Sequence, residues 1–143
     1  MGVVRLDHVG MVVDDIEAAV AFFEVIGLKR QPTEVMEGAW LDQIVGMKGV
    51  RTDLVVLTGP GETWFELSKF HHPAEADPGA TPPDNRIGLR HVAFAVDDVN
   101  DTVERLGEAG YERIGDVVDY EDRYRLVYVR GPEGIIVELD QEL

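Results

Sequence analysis

Hydrophobic positions along the chain alternate, then recur at helical spacing, then alternate again, and the cycle runs twice. In the first cycle, Val3 to Val13 reads as a strand. Asp14 and Asp15 follow with helix N-cap chemistry, and Glu17 stands three places after Asp14 as in a capping box. Ile16, Ala19, Val20, Phe23 and Ile26 then give one apolar face, which Gly27 ends. Three more strands are predicted over Leu28 to Val35, Asp53 to Thr58 and Thr63 to Lys69. The second cycle keeps this order, with a helix from Asp97 or Asp98 through Val99, Val103 and Leu106 to Gly110. Its later strands are Tyr111 to Val118, Tyr124 to Arg130 and Ile135 to Leu139. Each cycle is a βαβββ module, which predicts an α+β protein with two curved, mostly antiparallel sheets.

The two cycles are copies. Leu6-Asp7-His8-Val9 returns as Leu89-Arg90-His91-Val92 at an offset of 83. Gly59-Pro60 through Glu66-Leu67 returns as Gly131-Pro132 through Glu138-Leu139 at an offset of 72, which also pairs Arg51 with Arg123. The smaller offset means that the second copy is shorter in its middle. Residues 1–69 form the first module and 89–143 the second, with the Pro-rich stretch 70–88 as a linker that lacks hydrophobic periodicity. Such a linker lets the modules pair within one chain or with a second copy, and a homodimer is the expected state.

One helix covers only one face of a four-stranded sheet, so the other face is a concave surface or meets a partner. Alternation puts His91 with Ala93 and Ala95, opposite Val92, Phe94 and Val96, and puts His8 with Gly10 and Val12. Glu66 opposes Phe65 and Leu67, and Glu138 opposes Val137 and Leu139. All four polar residues are therefore predicted to line the cleft. Half-buried carboxylates need a positive partner, and a divalent cation with two imidazoles and two carboxylates is formally neutral. The donor set suits nickel, cobalt, manganese, iron or zinc better than magnesium.

Composition narrows the alternatives. The chain has 28 acidic and 13 basic residues and a formal charge of −15, which disfavours nucleic acid and anionic membranes as partners. It has no cysteine, so thiolate nucleophiles, cysteine-bound zinc and iron–sulfur clusters are excluded. The N-terminus reaches Arg5 and Asp7 before a signal-like apolar run builds, and the expected location is cytoplasmic.

The βαβββ repeat, the His-Val strands leading to Asp-Asp, and the Gly-Pro turns leading to strands with Glu-Leu resemble the vicinal oxygen chelate superfamily over nearly the whole chain. That group includes glyoxalase I, methylmalonyl-CoA epimerase, extradiol dioxygenases and the metal-free bleomycin-resistance proteins. The resemblance carries the family's metal positions to His8, Glu66, His91 and Glu138, a full set similar to that of small bacterial glyoxalase I. Epimerases of the methylmalonyl-CoA type usually have glutamine where Glu66 stands, and extradiol enzymes hold Fe(II) with two histidines and one glutamate.

The resemblance implies an enzyme, a lyase, isomerase or epimerase, that acts on a small carbonyl- or vicinal-oxygen-bearing substrate through a metal-stabilised enediolate. Glu66 or Glu138 is the expected base. An extradiol-type dioxygenase and a non-catalytic binding or resistance protein are the competing readings. Expected substrate contacts are Arg51 and Arg123 as bidentate anion donors, Trp64 as an apolar wall on the face of Glu66, and Tyr120 and Tyr124. Trp40 has a weaker claim than Trp64, and His71-His72 reads as part of a solvated turn rather than a metal pair.

Overall fold

The computed structural model describes residues 2–74, 85 and 87–143. The chain divides into two compact units, Met1–Pro78 and Gly79–Leu143. Each contains a five-stranded mixed sheet, and the whole is α+β. Among the described residues, no helix is long and apolar enough to cross a membrane.

In the first unit, β1 (His8–Val12) leads to α1 (Ile16–Val25), then β2 (Lys29–Arg30), β3 (Glu34–Glu37), α2 (Ala39–Val45), β4 (Arg51–Thr58) and β5 (Trp64–His72). The sheet order is β1-β5-β4-β2, with β3 also on β4. β1 runs parallel to β5 and the other pairs are antiparallel. The helix side of this sheet is its core: Phe22, Phe23, Val55, Leu57 and Leu67 are buried, and the Phe23 ring stacks on Phe65 at 6.1 Å. Because Phe65 and Leu67 take that side, Glu66 takes the other, as alternation requires.

The second unit runs β6 (Val92–Ala95), α3 (Val99–Glu108), β7 (Glu112–Arg113), β8 (Val118–Tyr120), β9 (Tyr124–Arg130), a short 3-10 turn (Pro132–Gly134) and β10 (Ile136–Glu142). Its order, β6-β10-β9-β7 with β8 also on β9, repeats the first. Val99, Leu106, Val127, Val129, Val137 and Leu139 are buried. Thr102 is buried among them because its hydroxyl donates to the Asp98 carbonyl at 2.7 Å.

Several boundaries differ from the sequence expectation. The first strand begins at His8, not Val3, because its partner β5 begins at Trp64, opposite His8, and the strand ladder starts there. Val3 and Val4 are each 96% exposed. The second strand of each module is broken in two. In the first unit Pro32, which has no N–H, falls in the break.

The α1 N-cap is Asp15, whose carboxylate accepts from the Ala18 N–H at 3.0 Å. Glu17 does not close a capping box: it forms a bidentate pair with Arg30 at 2.6 and 2.8 Å, tying the helix to β2. In the second unit the cap is Asp98, accepting from the Asp101 N–H.

Helix α2 was not expected. Its seven residues are too few for a periodic signal, and glycines with positive φ stop it at both ends, Gly38 at +118° and Gly46 at +75°. In the second unit a tight hairpin at 121–123 stands in its place, which accounts for the shorter middle of that copy.

β5 runs on to His72, so the predicted linker loses its first residues to the sheet, and His71-His72 is not a solvated turn. His71 Nε2 lies 2.9 Å from Asp53, and His72 Nδ1 lies 2.8 Å from the Gly49 carbonyl. Residues 75–84 and 86 of the predicted linker lie outside the described residues.

Candidate functional site

On the face of the first sheet away from α1, β1 and β5 bring His8 beside Glu66. His8 pairs in register with Trp64 and Gly10 with Glu66, so parallel pairing sets the imidazole over the carboxylate. His8 Nε2 is 3.6 Å from Glu66 Oε2. The Trp64 ring stacks on the imidazole at 5.2 Å and 17°, and its Nε1–H donates to Glu66 Oε1 at 3.3 Å. The other ring nitrogen, Nδ1, is 3.0 Å from Asp7, which also takes Arg5 at 2.7 Å. The Asp7 hydrogen bond raises the His8 pKa, desolvation opposes it, and the charge of Glu66 adds to the rise. An imidazole whose Nδ1–H is held by a carboxylate offers its Nε2 lone pair outward, the arrangement of metal-ligating histidines.

The second unit repeats the pair with different neighbours. His91 Nε2 is 3.1 Å from Glu138 Oε2. β10 pairs with β6 and β9 so that Glu138 lies opposite Ala93 on one side and Tyr128 on the other. The Tyr128 ring packs against His91 at 5.1 Å and its hydroxyl hydrogen-bonds Glu138. Burial and then the negative charge of Asp140 push the Glu138 pKa up, while His91 pulls it down. The Glu138 side chain is 18% exposed against 28% for Glu66, so it is the more desolvated carboxylate.

Both pairs fit a metal. Two donors each about 2.1 Å from one ion lie about 3.0 Å apart at a right angle and about 3.4 Å apart at the tetrahedral angle. The observed 3.1 and 3.6 Å are close to those edge lengths. Among the described residues, no group of three or more histidines and carboxylates is gathered in metal-holding geometry; the structure shows one His–Glu pair in each unit.

Other expected site residues are placed as follows. Trp64 is on the Glu66 face, in contact with both His8 and Glu66. Arg51 starts β4 and meets Glu37 across the β3–β4 ladder at 3.8 Å, away from the His8–Glu66 pair. Arg123 is at the β8–β9 hairpin, its guanidinium 5.7 Å from the Tyr124 ring centroid. Tyr120 and Tyr124 face each other in that hairpin and are exposed. Trp40 is half exposed on α2.

The residues that sequence reading missed are Asp7, Tyr128 and Asp140. Tyr128 had a signal: it lies on the opposite parity from the buried Val127 and Val129, and so on the face of Glu138. Asp7 had no periodic signature, because its role comes from a bond to the neighbouring residue.

The sequence model of the Glyoxalase/Bleomycin resistance protein/Dioxygenase superfamily matches residues 5–139. A solved glyoxalase family protein from Bacillus cereus is 37% identical, superposes with a TM-score of 0.93, and is matched over 100% of this chain and 97% of its own. YwbC of Bacillus subtilis is 28% identical over 96% of this chain and 97% of its own length. The trypanothione-dependent glyoxalase I of Leishmania major has the same fold, at 23% identity and a TM-score of 0.64, over 96% of this chain and 86% of that one.

Proposed function

Because the chain belongs to the Glyoxalase/Bleomycin resistance protein/Dioxygenase superfamily, we propose that it is a divalent-metal enzyme moving a proton at carbon next to oxygen in a small carbonyl-bearing substrate. His8, Glu66, His91 and Glu138 are its metal ligands, and the reaction is that of a lyase, isomerase or epimerase. The observation that carries this reading is the twice-repeated His–Glu pair, each at a metal-edge distance on the sheet face away from its helix. A divalent ion at such a set supplies stabilisation of negative charge on paired substrate oxygens.

Glu138 is the base. Burial and then the charge of Asp140 raise its pKa, while His91 and Tyr128 oppose the rise, and a carboxylate positioned beside the reacting carbon can accept and return a proton. The Tyr128 hydroxyl holds it in position, and Asp140 carries a second carboxylate on the same sheet face. On the first unit, Glu66 is held by the Trp64 indole, which fixes its rotamer and leaves it the better static ligand. The Trp64 ring forms an apolar wall beside His8.

The test is elemental analysis of protein purified without chelator, followed by assays with 2-oxoaldehydes and 2-hydroxy or 2-methyl acid derivatives using the metal found. Solvent hydrogen exchange at the carbon next to the carbonyl is the expected signature, lost in Glu138→Gln. Oxygen uptake with catechols would instead place the protein among the dioxygenases.

A further inference from the structure

The residue before each histidine reverses its charge between the two repeats. Asp7 precedes His8 and binds its Nδ1; Arg90 precedes His91. Arg5, Arg30, Arg51, Arg105 and Arg125 each meet a carboxylate, as expected in a chain with 28 acidic residues. Arg90 is half-buried, and among the described residues its enclosed Nε has no hydrogen-bond partner. A buried donor of this kind is costly unless something accepts from it.

The backbone comes close to that guanidinium at Gly88, where a Cβ would meet Nη2 at 3.6 Å and where φ is +132°. Gly88, Leu89, Arg90, His91, Tyr128 and Ile136 line a cavity of about 430 Å³. The cavity therefore joins a guanidinium whose Nε has no partner among the described residues to the ring of a proposed metal ligand, with Ile136 and Leu89 as apolar lining.

We propose that this cavity holds the anionic end of the substrate, and that the substrate is a small carboxylate with Arg90 as its counter-ion. The inference rests on the proposed function for the place of the reacting carbon, which lies towards His91 and Glu138. A guanidinium presents its donors in a planar fork that matches a carboxylate. One arginine in a cavity whose Tyr128 lies opposite Glu138, on a strand that also carries Asp140, favours a monoanion over a dianionic phosphate. Arg51 and Arg123 lie at a strand pair and a hairpin, and Arg90 is the arginine that lines this cavity.

The experiment uses the full chain, once with bound metal and once after chelation, with pyruvate, the neutral hydroxyacetone and inorganic phosphate as probes. Arginine Nε–H resonances and calorimetry report binding, and metal content is measured on the same samples. Pyruvate is expected to shift the Arg90 Nε–H signal in both forms and to bind at least about tenfold more tightly than hydroxyacetone. Arg90→Met removes that preference, and Arg90→Lys keeps part of it. Equal binding of pyruvate and hydroxyacetone, or undiminished pyruvate binding in Arg90→Met, overturns the subsite. Phosphate binding as tight as pyruvate overturns the carboxylate assignment. Loss of metal uptake with the pyruvate preference intact would overturn the proposed metal ligands and leave the anion subsite standing.

Discussion

Set side by side, the two units hold the same His–Glu pair in different company. In the first, His8 is gripped by Asp7 and covered by Trp64, and Val56 stands opposite Glu66. In the second, Arg90 takes the place of Asp7, Ile136 that of Trp64, Tyr128 that of Val56 and Asp140 that of Ser68. Duplication preserved the His–Glu pair in each half, while the residues around the pair diverged. The first unit sets a carboxylate against its histidine and an indole against its glutamate. The second raises the pKa of its glutamate and puts a phenol against it.

The largest effect that sharpens this contrast is on turnover. Glu138→Gln should lower kcat by about 10²–10⁴-fold, the usual contribution of a positioned acid–base group. Glu66→Gln should act mainly through weaker metal binding and be partly rescued by excess metal. Equal rescue of both variants in steady-state assays would erase the distinction.

Next in size is Asp7→Asn, which removes the carboxylate that holds His8 in its ligating tautomer. A drop of about 10–100-fold in metal affinity is expected from loss of such a partner, measured by competition with a chromogenic chelator. Arg90→Met, at the equivalent position of the second repeat, should leave metal affinity within about twofold, because the Arg90 Nε has no hydrogen-bond partner among the described residues and a guanidinium cannot accept the His91 N–H as Asp7 does for His8. Matching losses would mean that the two positions play one role.

Tyr128→Phe should have a smaller effect still. The hydroxyl lowers the Glu138 pKa, so its removal should shift the basic-form limb of kcat/KM to higher pH while metal content stays constant. A variant that loses metal in parallel would show Tyr128 to be structural only.

The smallest effect concerns α2, present only in the first unit. The Asp42 carboxylate accepts the Val50 N–H, then the Gly49 N–H, both at 2.8 Å, and these bonds lower its pKa. A lowered folded-state pKa means stability that is present above the unfolded value of about 3.9 and is lost as acid passes through the folded one. In Asp42→Asn that part of the acid-unfolding profile should flatten. An unchanged profile would deny the carboxylate any part in holding α2 to β4.

Much of this was legible in the sequence, for reasons that particular residues make plain. His8 and His91, and Glu66 and Glu138, fall in register because the copies are gapless around them. Their faces followed from the parity of Phe65, Leu67, Val137 and Leu139, all of which are buried. Trp64 was found by the same parity and sits where expected.

What escaped the sequence depends on contacts rather than period. Strand β1 begins at His8 because its partner does, which no pattern within Val3 to Val13 records. Glu17 had the spacing of a capping box but found Arg30. Arg51 and Arg123 correspond in the repeat, yet one meets Glu37 across a ladder and the other caps a hairpin, since the connection before them is α2 in one unit and three residues in the other.

The central proposal is that His8, Glu66, His91 and Glu138 are the ligands of one metal ion. Metal content per chain, measured by elemental analysis on wild type, Glu66→Gln, Glu138→Gln and the double variant after loading and desalting, tests it most directly. The account predicts one ion per chain in the wild type, reduced occupancy in either single variant, and none in the double variant. Two independent ions per chain, each lost only with its own glutamate, or full occupancy in the double variant, would contradict it.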